Sequence, residues 1–392
     1  MRQSRKKWER RREVHRNKLA AVIFVIMMIA FCVVNLATGD REFSATENRA
    51  LEQRPELTIS GLESGRWMEQ YESYVSDQFA GRDFWVVLKS RVDLLAGKRK
   101  ANGVFKGKDH YLLEDIAKPD EDQLKENLSA MKKFQKQYKD IPMYMMLVPN
   151  AANIESDKLP GYAVTENQEK QFKAIHSTLG SAYTWVDVSD ILKKHRSEEI
   201  YYHTDHHWTT LGAYYGYQAL SKSMKLDTSK TSDMKPYAVT NAFNGTLAST
   251  SGYETGYEEP IYIYAPDNLK NATEAVVNNV NEKKKTATLY DTSKLKGKDK
   301  YALFLGGNYP ILDIKTTSDS TDRLLIIKDS YANSLIPFLI PYYREIVVVD
   351  PRYYYDDIEK VMKKDNITSV LFLYNGNTFV KDNSISGVLQ ND

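Results

Sequence analysis

At 392 residues the chain holds 54 Lys and Arg against 52 Asp and Glu, for a formal net charge of +2, and a single cysteine. A chain this long can bury a self-sufficient apolar core, and one cysteine rules out an intramolecular disulfide framework. Charge is unevenly spread: residues 1–18 carry nine Lys and Arg and two Glu, hence +7, and 2 − 7 leaves −5 for the remainder, a mildly acidic balance that argues against nucleic acid as a partner.

The first predicted element is a membrane span. Leu19 to Ala37 reads LAAVIFVIMMIAFCVVNLA, with Asn35 as its only strongly polar residue, and about 20 apolar residues cross the hydrocarbon core of a bilayer. Basic residues ahead of such a span stay cytoplasmic. Residues 1–18 are therefore expected as a cytoplasmic tail, 19–37 as a single-pass anchor, and the rest as extracytoplasmic. A cleaved signal peptide has a similar charged start and apolar run, but the length of the span and the lack of an A-x-A site after it favour the anchor. Phe31 ahead of Cys32, where lipidation wants a small residue, disfavours a lipoprotein.

Residues 38–62 include REFSATENRALEQRPEL, polar and interrupted by Pro55, which reads as a linker or strap. From 63 to 96 the spacing of Trp67, Tyr71, Tyr74 and Val75 predicts helix, closed by Gly97. Pro119 to Tyr138 reads as an amphipathic helix with proline in the permitted first turn. The apolar run MYMMLVP that follows reads as a buried strand, 166–179 as a helix and 183–188 (YTWVDV) as another strand.

A strand, a helix and a strand in succession imply a parallel sheet. Residues 227–305, rich in Thr, Tyr, Asn and Lys, break that rhythm and read as inserted β-hairpins, either a carbohydrate-gripping lobe or a lid. Alternation resumes with RLLIIKDS, a helix over 331–340, EIVVVDPR, a helix over 355–364 and SVLFLYNGN. The expected architecture is a doubly wound α/β sheet within a domain spanning 63–385.

In such sheets ligands bind beyond the carboxyl ends of the strands, which brings forward Asp329, Ser330 and Tyr331, then Pro351, Arg352 and Tyr353, then Asn375, Gly376 and Asn377. Ser330, at a strand-to-helix junction, sits where a nucleophile or a simple helix cap would sit. A serine nucleophile needs a base, and the base needs an orienting acid. YYHTDHHWTT, residues 201–210, offers both: of seven histidines in the chain, His203, His206 and His207 cluster here around Asp205. Spacing alone leaves three readings open: Asp205 and His207 serving Ser330, a metal nest of His203, Asp205, His206 and His207, or purely structural roles. No second histidine cluster exists to complete a metal site. The 27 tyrosines suit stacking on sugar faces and equally suit an ordinary solvated surface.

TDHHWT resembles the D-x-H-W-T signature of the SGNH-like O-acetyltransferases of alginate acetylation, and more closely the DHHW proteins. LLIIKDSYANSLIPFL is similar to the serine block of the same families, a relative of the Gly-Asp-Ser-Leu motif of SGNH esterases. FSATENRALEQRP, DQFAGRDFW, VFKGKDHYLLE, FNGTLASTSGY, LFLGGNYP and VVVDPRYY extend the likeness over about residues 41–380. The resemblance implies an SGNH-hydrolase-like fold with the Asp/His block ahead of the serine block. It implies Ser330 as nucleophile, His207 as base and Asp205 as its orienting acid, with no catalytic role for His206, no metal and no cofactor. It further implies acetyl transfer to, or removal from, exported or cell-surface polysaccharide, with a multi-spanning membrane-bound O-acyltransferase as the partner that supplies acetyl.

A non-catalytic polysaccharide-binding or assembly role is the remaining alternative to transferase and esterase. Lys328 departs from the pattern, standing where esterases have glycine and flanking the nucleophile with a bulky charge. For the oxyanion, Asn377 is the first choice, Asn375 the second, and Asn308 in GGNYP a competitor; Arg352 and Tyr331 are candidate substrate contacts.

Overall fold

The computed structural model describes residues 2–44, 49–268 and 272–390; positions 45–48 of the expected linker and 269–271 of the β-rich stretch lie outside the described residues. The chain forms two compact units, one up to Lys89 and one from Ser90 onward. In the first, helix α1 (Arg2–Ala37) is long and apolar enough over Arg12–Ala37, at a mean hydropathy of 2.9, to cross a membrane. The expected 63–96 helix is instead two, α3 (Arg66–Asp77) and α4 (Arg82–Leu95), with the boundary between units falling within α4, and a short α2 (Ile59–Glu63) occupies the end of the stretch expected as linker. Gly65 and Gly81 adopt left-handed φ of 73° and 68° at the breaks, a conformation that glycine enters at no steric cost.

The second unit is built on one eight-stranded mixed sheet. It opens with a small antiparallel sheet of β1 (Lys100–Ala101), β2 (Val104–Lys106) and β3 (Leu112–Glu114). Helix α5 (Glu121–Gln137) follows, capped by the Asp120 side chain, and then β4 (Met143–Val148). Helix α6 (Gln168–Leu179), the two-residue β5 (Thr184–Trp185) and α7 (Thr210–Met224), capped by Thr209, come next.

A hairpin of β6 (Met234–Phe243) and β7 (Glu259–Pro266) stands apart from the main sheet. After it come β8 (Ala275–Asn279), β9 (Lys284–Thr286), β10 (Ile311–Thr316), β11 (Arg323–Lys328), β12 (Glu345–Val349), α8 (Ile358–Lys364), β13 (Ser369–Asn375) and α9 (Gly376–Lys381). The main sheet runs β9-β8-β10-β12-β11-β13-β4-β5. Strands from β12 to β5 are parallel, while β10, β8 and β9 extend the β12 edge antiparallel. The 227–305 stretch is thus divided between a separate hairpin and two strands of the central sheet.

Why RLLIIK and SVLFLY are apolar throughout follows from this position. Leu325, Ile327, Val370 and Phe372 face a core closed by α5, α6 and α8; Leu324, Ile326, Leu371 and Leu373 face a second core that includes Trp208, Tyr217 and Leu220. A parallel sheet covered on both faces has no solvated side to make polar. The segment after β11 differs from expectation: two short 3-10 turns, Ser330–Ser334 and Ile336–Phe338, replace a helix over 331–340. Pro337 has no N–H for the carbonyl four residues back, and its ring clashes with that carbonyl in an α-helix.

Candidate functional site

β11 lies between β12 and β13, so Ser330 emerges at the centre of the sheet's carboxyl edge. Asp329 shapes the turn: its carboxylate accepts from the N–H groups of Tyr331 and Asn375, both at 2.9 Å. Burial pushes this carboxyl above its ordinary range. Ser330 itself is half-buried, with its N–H unpartnered among the described residues.

From the other half of the chain, Tyr201–Trp208 doubles back just before α7, bridged at its ends. The buried Glu259 carboxylate, from β7, organises this loop by accepting from His203 N (2.8 Å), Thr204 N (2.9 Å) and the Thr204 hydroxyl (2.7 Å). Within it Asp205 is 1 % exposed and uses both oxygens. Oδ1 accepts from His207 N at 3.0 Å and faces His207 Nδ1 at 2.6 Å; Oδ2 accepts from Thr246 N and the Thr246 hydroxyl, both at 2.8 Å. Burial opposes the charge, but the neighbouring His207 and His206 and these donors outweigh it, and the carboxyl lies well below the usual range. An ionised Asp205 fixes the proton on His207 Nδ1, which leaves Nε2 as an acceptor. That Nε2 lies 2.7 Å from Ser330 Oγ. Asp205 and His207, two positions apart, and Ser330, 123 positions beyond His207, thus form one hydrogen-bonded line.

Several residues of the site carried no role in the sequence reading. Tyr301 stacks on the His207 ring at 3.7 Å and 10° between planes, and its hydroxyl donates to Ser330 O (3.3 Å) and Ser334 Oγ (3.1 Å). Trp208 Nε1 donates to Tyr331 O at 3.0 Å, tying the two blocks together. Gly245 packs so closely that a Cβ there would lie 2.2 Å from Asp205 Cβ. FNGT, within a stretch already singled out, was a visible signal for Gly245 and Thr246; Tyr301, one tyrosine among many, gave none.

Other nominations fare differently. Tyr331 is fully buried, with its hydroxyl donating to His206 O, so it is a packing residue with no face for substrate. The Asn377 amide accepts from Ala117 N (2.9 Å) and donates to Asp115 O (2.8 Å); Asn375 Nδ2 donates to Val148 O (3.3 Å) and its oxygen caps α9. Both amides satisfy buried backbone, and neither is bonded to Ser330. Arg352 grips Asp350 through Nε at 2.9 Å and Nη2 at 2.7 Å. Lys328 is 1 % exposed, with its ammonium 2.7 Å from Asn308 Oδ1 and 3.4 Å from Asp350 Oδ2, so it does not obstruct Ser330 from solvent.

Asp205, His206 and His207 place three potential ligand atoms within 4.8 Å of one another. Most of those atoms are already engaged: His206 Nδ1 bonds the Thr246 hydroxyl at 2.9 Å, and only its Nε2 is unpartnered among the described residues. His203 turns away to Glu199 (2.8 Å) between the rings of Tyr111 and Tyr257.

None of the curated proteins matches this sequence significantly. Solved structures do. A DHHW family protein from Eubacterium siraeum superposes with a TM-score of 0.61 at 24 % identity, over 75 % of this chain and 96 % of that one. Bacillus cereus PatB1, solved with a sulfonyl adduct, gives 0.59 at 20 % identity, over 73 % and 97 %. The O-acetyltransferase domain of Pseudomonas putida AlgJ aligns more loosely, at 0.45 and 15 % identity, over 72 % and 94 %. The family model of the DHHW proteins matches residues 126–349, more than half of the chain, and with the SGNH-like fold in place the protein belongs to the DHHW family.

Proposed function

We propose that this protein is a membrane-anchored, extracytoplasmic O-acetyltransferase that places acetyl groups on hydroxyls of exported or cell-surface polysaccharide through an acetyl-Ser330 intermediate. The observation that carries the reading is the unbroken line from Asp205 through His207 to Ser330, at 2.6 and 2.7 Å. A serine hydroxyl becomes a nucleophile only when a positioned base takes its proton. The sulfonyl adduct of PatB1 supports the reading, since sulfonyl electrophiles are captured by activated nucleophiles. The location is supported by α1 and by the +7 charge of residues 1–18, which favours a cytoplasmic N-terminus.

In the first half-reaction His207 Nε2 takes the Ser330 proton as Oγ attacks the acetyl carbonyl. The tetrahedral intermediate collapses, the donor leaves with that proton, and acetyl-serine remains. In the second half a sugar hydroxyl attacks, gives its proton to Nε2 and departs as the ester, while Ser330 recovers the proton. Asp205 stays ionised throughout and stabilises the imidazolium. Water in place of the sugar would make the same machine an esterase. A membrane-bound O-acyltransferase is the partner proposed to bring acetyl across the bilayer.

The test is mass spectrometry of surface glycan from cells carrying Ser330→Ala at normal protein level. Loss of O-acetyl groups is expected; unchanged acetylation overturns the assignment.

A further inference from the structure

DQFAGRDFW, residues 77–85, takes no part in the chemistry above, and within the first unit it lies against α1. The Phe31 ring of α1 is centred 6.4 Å from that of Phe79 and 5.8 Å from that of Trp85. Asn35, the one strongly polar residue of the span, uses both ends of its amide: Nδ2 donates to Phe31 O at 2.9 Å, and Oδ1 accepts from Ala80 N at 2.8 Å. These two residues are half-buried, while every other residue from Leu19 to Ala37 is exposed. The span is thus covered on one side and at one level only, by the turn between α3 and α4.

That level follows from helix geometry. A rise of about 1.5 Å per residue puts Asn35 about 3 Å and Phe31 about 9 Å short of the outer end of the span at Ala37. The turn therefore reaches below that end, where water is scarce and a backbone N–H such as that of Ala80 needs a protein acceptor. An asparagine among apolar residues has its reason here. From the turn, α4 presents Phe84, Trp85 and Leu88, spaced at three and four and so on one face. Phe84 is 62 % exposed, and Trp85 and Leu88 are each 39 % exposed. Arg82 is turned to a partner, with its Nε 3.8 Å from the carboxylate of the buried Asp77. Aromatic rings at the level where a span ends suit the boundary between headgroups and acyl chains.

We propose that the face of α4 formed by Phe84, Trp85 and Leu88 is a second membrane contact, seated in the outer leaflet at the headgroup–acyl boundary beside the span. The inference rests on the membrane-anchored reading of α1. Lipid is the occupant, and not another protein, because the face is continuous with a span whose remaining surface lipid covers on that reading. Immersion removes the three apolar side chains from water, and the Phe31 and Asn35 contacts set the depth at which α4 begins. An interfacial helix of this kind lies in the plane of the boundary with its polar side outward.

The experiment is spin labelling of the full-length protein in vesicles of phosphatidylcholine and phosphatidylglycerol, reading collisions of each label with oxygen and with a water-soluble nickel chelate. Cys32, the one cysteine of the chain and exposed on the span, reports on the anchor. Phe84→Cys and Leu88→Cys, each combined with Cys32→Ser, report on α4. Labels at positions 84 and 88 are expected to favour oxygen over nickel and to read a depth of about 5–10 Å, with the Cys32 label also in lipid. Labels at both positions that favour nickel, beside a Cys32 label in lipid, overturn the α4 contact and leave the anchor standing. Labels at both positions shielded from oxygen and nickel alike overturn it in favour of a protein contact. A Cys32 label in water overturns the anchor and the inference together. Should one α4 variant fail to fold, the other decides.

Discussion

The strands β11 and β13 are neighbours, parallel and alike in sequence, and each ends in a polar residue that begins a turn. Their ends are used oppositely. Ser330 keeps a half-exposed hydroxyl bonded to the imidazole from a distant loop, whereas Asn375 and Asn377 spend their amides on the backbone of Val148, Asp115 and Ala117. The difference lies in what crosses each end. Residues 115–117 pass over β13 and bring unpaired backbone groups that must be satisfied, while the Ser330 hydroxyl beyond β11 meets the His207 side chain and no backbone group among the described residues. A strand end at a sheet's carboxyl edge is thus a site only where no backbone claims its polar groups.

The most severe way to break this contrast is Ser330→Ala or His207→Ala. Each is expected to lower acetyl transfer at least about 10⁴-fold, measured on glycan or 4-nitrophenyl acetate, with thermal stability retained. Asp205→Asn should cost about 10³- to 10⁴-fold, because an amide nitrogen facing Nδ1 favours the tautomer that blocks Nε2 as a base; a variant within tenfold of the parent would remove Asp205 from the line.

Asn377→Ala sharpens the other side: it leaves Ala117 N and Asp115 O without partners and should destabilise by about 1–3 kcal/mol in denaturant titration, with activity within about threefold. Normal stability with lost turnover would reverse the assignment of the two strand ends.

The smallest effect is expected at Glu155, which is 2 % exposed, has an Oε1 with no partner among the described residues and is pushed up to about 7 by burial. A carboxyl raised from 4.5 favours folding while protonated, so its contribution is intact below pH 4.5 and lost as pH rises through 7. Glu155→Gln should therefore stabilise by on the order of 2 kcal/mol at pH 8 and by little at pH 4; equal effects at both would remove the titration.

Much of the frame was legible from the chain itself. Apolar runs such as LLIIK and SVLFLY mark strands covered on both faces, and the amphipathic 119–138 pattern marks a helix, found over Glu121–Gln137 with Pro119 just ahead of its Asp120 cap and not in its first turn. Asp205 and His207 stood out because three of the chain's seven histidines gather around one aspartate, and Ser330 because it directly follows a strand. What stayed hidden depends on partners far along the chain. Tyr301 stacks on an imidazole 94 positions away (301 − 207); Asn377 is claimed by residues about 260 positions earlier; the burial of Lys328 follows from Asp350 and Asn308. Spacing describes neighbours in sequence and is silent on such encounters. The 331–340 segment was misjudged for a local reason, since Pro337 was there to be weighed against the apolar pattern.

The serine turn is braced by the last strand: Asp329 N donates to Leu373 O, and Asn375 N to the Asp329 carboxylate. A nascent polypeptide that has emerged only as far as residue 360 already holds Asp205, His207 and Ser330 yet lacks both backbone contacts of β13 to the turn. On the proposed chemistry, full reactivity is in this way withheld until β13 is in place, and a protein clipped before Ser369 would keep its motif without that brace.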